Sequence, residues 1–186
     1  MRWDDLFADL EAQADALDIA ERAAEVGERT RIEIAGIGML ERLRPAIGSP
    51  LRVRLVAGLA LTGTLRRAGP DWLLLDEGSG REAVIVTSAV HTVQGLGRLS
   101  ATPGSEGPVL AKLTLRTAFR GIARDRSRVR AHLIDGEVLD ATIDRVGADF
   151  MEIARHSAGE ARRRSEVREV LLVPFAAVAA VRRESS

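Results

Sequence analysis

Residues 51–75 read LRVRLVAGLALTGTLRRAGPDWLLL, and residues 129–153 read VRAHLIDGEVLDATIDRVGADFMEI. The two stretches align without a gap at a constant offset of 78. Eight of 25 positions are identical: Arg52 with Arg130, Leu55 with Leu133, Gly58 with Gly136, Leu61 with Leu139, Thr64 with Thr142, Arg67 with Arg145, Gly69 with Gly147 and Asp71 with Asp149. Most other pairs are conservative, such as Trp72 with Phe150. Self-similarity at a fixed period marks a duplicated structural unit.

Leu51, Val53 and Leu55 alternate with Arg52 and Arg54, the period of two that a half-buried strand requires. Leu59-Ala60-Leu61, Leu73-Leu74-Leu75, Ala83 to Val86 and Val90 to Val93 follow across turns marked by Ala57-Gly58 and Ala68-Gly69-Pro70-Asp71. Five strands in so short a span suggest a small, strongly bent barrel. Residues 83–86 and 89–93 match residues 171–174 and 177–181 at an offset of 88, so the second copy carries ten extra residues between its third and fourth strands. His156 and Arg162, Arg163 and Arg164 belong to that insertion. Gly97 to Pro108 is rich in Gly, Ser, Pro and Thr and reads as a linker. Leu113, Leu115, Ala118, Phe119 and Ile122 then have helical spacing directly before the second copy, as Met39 to Leu43 have before the first.

Upstream of the repeats, Leu6, Phe7, Leu10, Ala14, Leu17, Ala20 and Ala24 recur every three or four positions and predict a helix from Asp4 to about Val26. Residues 1–30 hold nine acids against three arginines, a net charge of −6, so the outer face of this amphipathic helix is acidic. A break near Gly36 is expected. The boundaries are therefore 1–46 for an N-terminal helical segment, 47–98 for the first barrel, 99–112 for a linker and 113–186 for a helix plus the second barrel.

Across 186 residues, 46% are apolar and 29% charged, enough to build a core. The 27 basic and 27 acidic residues cancel, which removes the large positive field that most simply marks a nucleic-acid or membrane binder and leaves only local charge. With no cysteine there are no disulfides, thiolate metal sites or cysteine nucleophiles. Acids at Asp4 and Asp5 are unlike a signal peptide, and no run approaches 18 uninterrupted apolar residues, so the chain reads as a soluble cytoplasmic protein without membrane partners.

The layout of helix, strand, turn glycine Gly58, Gly63-Thr64-Leu65, an apolar third strand and the closing run Ala89-Val90-His91-Thr92-Val93 resembles the Sm-like superfamily, nearest its bacterial Hfq branch. The resemblance covers residues 47–96 and 125–183. It implies a mainly β fold with helices, of α+β class: two tandem five-stranded SH3-like or Sm-like barrels, each preceded by a helix, plus the N-terminal amphipathic helix. It also implies pairing of open strand edges between barrels and RNA binding on the assembled faces or rims. The family's polar signatures do not transfer. Gly69 and Leu73 stand where Sm proteins have Asp and Asn, and Thr87-Ser88 and Phe175-Ala176 stand where Hfq has Lys-His.

No catalytic constellation emerges. His91, His132 and His156 lack metal-ligand spacing, and the strand alternation points His91 and His132 outward. Neither Gly36-Ile37-Gly38 nor Gly78-Ser79-Gly80 sits between a strand and a helix as a phosphate loop does, and no GxSxG elbow is present. Asp71 and Asp149 follow a turn glycine, a position where turn chemistry alone favours Asp. The expectation is a non-enzyme with no cofactor. What survives is a strip of seven bases between Ala111 and Arg130 against Asp125 alone. From it Arg116, Arg120, Arg124, Arg126 and Arg128, extended by Arg162, Arg163 and Arg164, are the candidate RNA-contacting residues. The competing reading is a solvated face, or one paired with the acidic helix. The expected function is a binding or assembly module with RNA as ligand. The alternative is a protein-interaction or oligomerising module that meets a partner, or itself, through the acidic helix and the open barrel edges.

Overall fold

The computed structural model describes residues 34–105, 107, 110, 112–156 and 169–183, with Gln13, Leu17, Arg22, Glu25, Arg31 and Ile32. They fall into two units, residues 1–38 and residues 39–186. In the first, the described residues up to Ala35 are helical, Leu17 is exposed, and regular helix ends at Gly36. Leu6 and Leu10 lie outside the described residues.

The second unit opens with a short helix, α1 (Met39–Leu43), and a longer α-helix, α2 (Leu115–Asp125), precedes the second set of strands. Ten strands make up the rest: β1 (Pro50–Leu55), β2 (Ala60–Ala68), β3 (Trp72–Gly78), β4 (Arg81–Val86), β5 (Val90–Gln94), β6 (Arg128–Leu133), β7 (Val138–Val146), β8 (Phe150–Arg155), β9 (Val170–Pro174) and β10 (Val178–Arg183). The expectation of two tandem five-stranded barrels, each preceded by a helix, is not met. All ten strands form a single antiparallel sheet in the order β5-β1-β2-β3-β4-β10-β6-β7-β8-β9. The physical reason lies at β4, whose outer backbone groups need partners and find them on β10 instead of remaining an edge.

The sequence repeat is a repeat of strand order inside that sheet, with β10 taking the place in the second half that β5 takes in the first. At an offset of 78, β1 and β2 map onto β6 and β7 residue for residue. The register also slips at equivalent points, between Leu65 and Arg67 and between Ile143 and Arg145. Gly58 and Gly136 have φ of +78° and +95°, a left-handed turn conformation in which a side chain is strained. Gly69 and Gly147 repeat for a different reason. A Cβ on either would overlap the ring of Trp72 or Phe150.

One apolar core serves both halves. Leu55, Leu61, Leu65, Leu75, Leu139, Ile143 and Ile153 are buried in it, whereas Leu133 is only half-buried against it. Trp72 is buried with its indole Nε1–H donating to the Leu113 carbonyl at 2.6 Å. The start of the interdomain stretch is pinned rather than free, since the Arg42 guanidinium donates to the carbonyls of Gly97 and Leu99 and the Ala101 amide to Glu41.

His132 departs from its expected outward position. It lies opposite Ala180 of β10, half-buried, with Nε2 enclosed and without a hydrogen-bond partner among the described residues. Burial, then the charges of Arg182 and Arg130, lower its pKa below the usual 6.5, against the opposing pull of Glu77 and Asp140. As pH falls the unfolded imidazole takes up its proton first, so stability is full above the unfolded pKa and declines as pH drops through the window beneath it.

Two outcomes follow. Gly69→Ala drives a methyl group into a buried ring and is expected to cost about 1–3 kcal/mol in urea denaturation. A loss under about 0.5 kcal/mol would mean that the ring is free to move aside. Between about pH 7.5 and 5.5 the wild-type denaturation midpoint is expected to fall more than that of His132→Gln, owing to the proton linkage at His132. Parallel pH profiles for the two would show that His132 is not protected from protonation by the fold.

Candidate nucleic-acid interface

Helix α2 owes its position to both halves of the sheet. Its apolar residues Leu115 and Phe119 are buried, with Ala118, Ile122 and Ala123 packed against the same core, and the Phe119 ring meets Phe175 edge-on at 5.2 Å. Thr114 precedes the helix without capping it through its hydroxyl. The cap comes from afar: the Asp71 carboxylate accepts the Leu115 amide at 2.7 Å. A carboxylate at a helix start satisfies an orphan N–H and complements the dipole. Sequence reading saw Asp71 only as a turn residue; a contact across 44 positions leaves no local signal.

With one face pinned to the sheet, the last turns of α2 lie beside β7. Arg120, Ala123, Arg124 and Arg126 from the helix end and Ile143, Asp144, Arg145 and Val146 from β7 enclose an open groove of about 780 Å³. Among the described residues four arginines thus line one groove with one acidic residue, Asp144. Among the described residues Arg120, Arg124 and Arg126 form no ion pair, and Arg145 has only a long contact to Glu152 at 3.7 Å. Such an exposed pair contributes at most about 1 kcal/mol. Asp125, the one acid in the strip, is engaged elsewhere, accepting from the Ser127 hydroxyl and lying 3.6 Å from Arg183.

Two other arginines are neutralised by close carboxylates. Arg66 holds Asp76 at 2.6 Å and Arg130 holds Asp140 at 2.8 Å. The Arg66 hydrogen bond and the Gly78 amide keep the Asp76 carboxyl below its usual range. Arg52, Arg54, Arg67, Arg81, Arg98 and Arg128 are exposed and also form no ion pair among the described residues, so what sets the groove apart is that four arginines converge on it.

Arg126 adds a second anomaly. It ends α2 at φ 50°, ψ 25°, the left-handed conformation that helix ends normally give to glycine. A side-chain-bearing residue there stores about 1–2 kcal/mol.

Of the sequence candidates, Arg120, Arg124 and Arg126 come together in the groove. Arg116 does not line it; it lies half-buried on α2 with Nε enclosed and without a hydrogen-bond partner among the described residues. Arg128 begins β6, exposed and paired through its backbone with Thr142. Arg162, Arg163 and Arg164 lie outside the described residues. Arg145, which the sequence strip omitted, joins the groove from 19 positions beyond Arg126. Its signal was its repeat partner Arg67.

Among the described residues no aromatic side chain lines the groove. Its chemistry is charge and hydrogen-bond donation to anions. Among the described residues no group of three His, Asp or Glu is arranged to hold a metal, and no helix is long and apolar enough to cross a membrane.

No known family model matches the chain, and no curated protein matches it significantly.

Proposed function

We propose that this protein is a non-enzymatic binding module that holds the phosphate backbone of RNA in the groove between α2 and β7. The observation that carries the reading is the convergence of Arg120, Arg124, Arg126 and Arg145 on one groove with Asp144 as its sole acid among the described residues. Guanidinium groups suit phosphate because they present donors in a planar fork and never lose their charge. With no exposed ring beside them they contact backbone in preference to bases, which gives affinity without sequence preference.

The bland explanation is that basic residues at a helix C-terminus simply complement its dipole. Arg124 fits that explanation. Arg126 does not, because glycine at its position would remove backbone strain, and the dipole contribution is no larger than the strain it would offset.

The reading makes a paired demand. Binding of a single-stranded RNA should weaken with salt at a slope near −0.7 per phosphate neutralised, hence about −3 if each of the four groove arginines engages one phosphate. Arg120→Ala with Arg124→Ala should reduce both the affinity and the slope. Arg126→Gly should weaken binding while leaving the melting temperature equal or higher, since the strain is relieved. Absence of RNA affinity tighter than about 10⁻⁴ M at low salt would overturn the reading. So would unchanged binding by Arg126→Gly. Equal affinities for single-stranded RNA and double-stranded DNA at the same salt would shift the ligand class from RNA to polyanions in general.

A further inference from the structure

A second recess lies against α2. Gly121, Ile122 and Asp125 of the helix and Ser127 just after it wall a space of about 220 Å³ over the sheet. We propose that this recess binds a small organic monocation, a compact apolar body carrying one ammonium group. The proposal stands apart from the RNA reading, because the recess and the arginine groove share no lining residue.

Strand register builds the floor. Leu74 of β3 pairs with Val84 of β4, and Val84 pairs with Val181 of β10. Two residues along their strands, Glu82 and Arg183 stand on the same face, and Arg183 pairs with Val129 of β6. The recess therefore straddles the β4–β10 join, and neither half of the sheet could form it alone. Val84, Val129 and Val181 are buried and Leu74 is half-buried, so the floor is aliphatic, with Ile122 beside it. Drug-sized sites begin at roughly 300 Å³, so this smaller space suits a fragment-sized molecule.

Gly121 is an independent sign that the space is kept open. A glycine inside a helix costs about 1 kcal/mol relative to Ala. Gly69 and Gly147 have a packing reason, the rings that a Cβ would strike, but a Cβ on Gly121 would meet nothing within 4 Å. Its φ is not in the left-handed region either. At the offset of 78 the first copy has Leu43 at this place, fully buried. The second copy thus has an opening where the first has a core side chain.

The rim sets the charge of the ligand. Asp125 is already engaged by the Ser127 hydroxyl and by Arg183. Glu82 is exposed and forms no ion pair among the described residues. Two carboxylates and one guanidinium leave the rim a formal charge of −1. One ammonium group balances that charge, an anion would add to it and a zwitterion would leave it unchanged. An apolar floor with a few polar groups at its margin is the usual make-up of a small-molecule site.

The test is a chemical-shift titration of the isotope-labelled full chain with phenethylamine, which is protonated at neutral pH. The amides of Val84, Gly121 and Ser127 are expected to shift saturably with a Kd of about 1 mM or tighter, within reach of a ligand of that size. Phenethyl alcohol, the same body without the charge, is expected to bind about three- to fivefold more weakly, as loss of an exposed ion pair implies. Phenylacetate and L-phenylalanine are expected to bind more weakly than the amine. Two variants, both at exposed positions, separate the contributions. Glu82→Gln should abolish the advantage of the amine over the alcohol without changing the alcohol's own affinity. Gly121→Leu, whose side chain occupies the opening, should weaken both ligands while leaving the melting temperature equal or higher. Absence of saturable shifts below about 10 mM, or shifts centred elsewhere in the molecule, would overturn the proposal. So would tighter binding of phenylacetate or L-phenylalanine, an amine advantage that survives Glu82→Gln, or unchanged binding by Gly121→Leu.

Discussion

Three backbone pairs between β4 and β10 turn a duplicated sequence into one molecule-wide sheet. The ladder is short, but contacts on either side of it depend on the same juxtaposition. Arg182 on β10 grips Glu77 on β3 through two bonds of 2.8 and 3.0 Å, and the Glu77 side chain is only 9% exposed. A carboxylate so enclosed would be costly without its partner, so the pair fixes which strands meet more than it adds net stability. The Trp72 indole and the Asp71 carboxylate then hold the segment leading into α2. Loss of the join would strand all of these groups at once.

The groove depends on that arrangement through α2. Its first amide is anchored to the first half of the sheet by Asp71 and its last turns lie against β7 of the second, so the helix direction is set by both halves. The first copy has no equivalent site. Arg42, which corresponds to Arg120, spends its donors on the carbonyls of Gly97 and Leu99, and Gly48 stands where Arg126 would be. Duplication thus left one half to be closed by the connecting chain and the other to carry an open, positively charged groove.

Much of the sheet was legible in the residues. Alternation at Leu51, Val53 and Leu55 located β1, and the offset of 78 then carried β1, β2 and β3 onto β6, β7 and β8. Those are local patterns, set by which face of a strand meets the core. The partner of an edge is not local. Backbone N–H and C=O groups carry no residue code, so nothing in Ala83 to Ile85 announces Ala180 to Arg182, and separate barrels were the natural but mistaken reading. The groove was half legible for the same reason. Arg120, Arg124 and Arg126 share a stretch of chain, but Arg145 arrives by tertiary packing, while Arg116 and Arg128 leave the site through helix rotation and strand position. His132 looked outward by alternation, yet β10 beside it encloses its ring nitrogen.

Native-state hydrogen exchange along Ala83 to Ile85 and Ala180 to Arg182 tests the shared sheet most directly: successive amides point alternately to the neighbour within the same half, β3 or β6, and across the join, and those that point across are protected only if the two copies are joined. Exchange at the protected members of this ladder with the same opening free energy as the central strands β2 and β7 is the expected result, a single cooperative unit spanning both halves. Fast exchange at the amides that point across the join, or one free energy for residues 50–94 and another for residues 128–183, would contradict it and return the molecule to two independent halves.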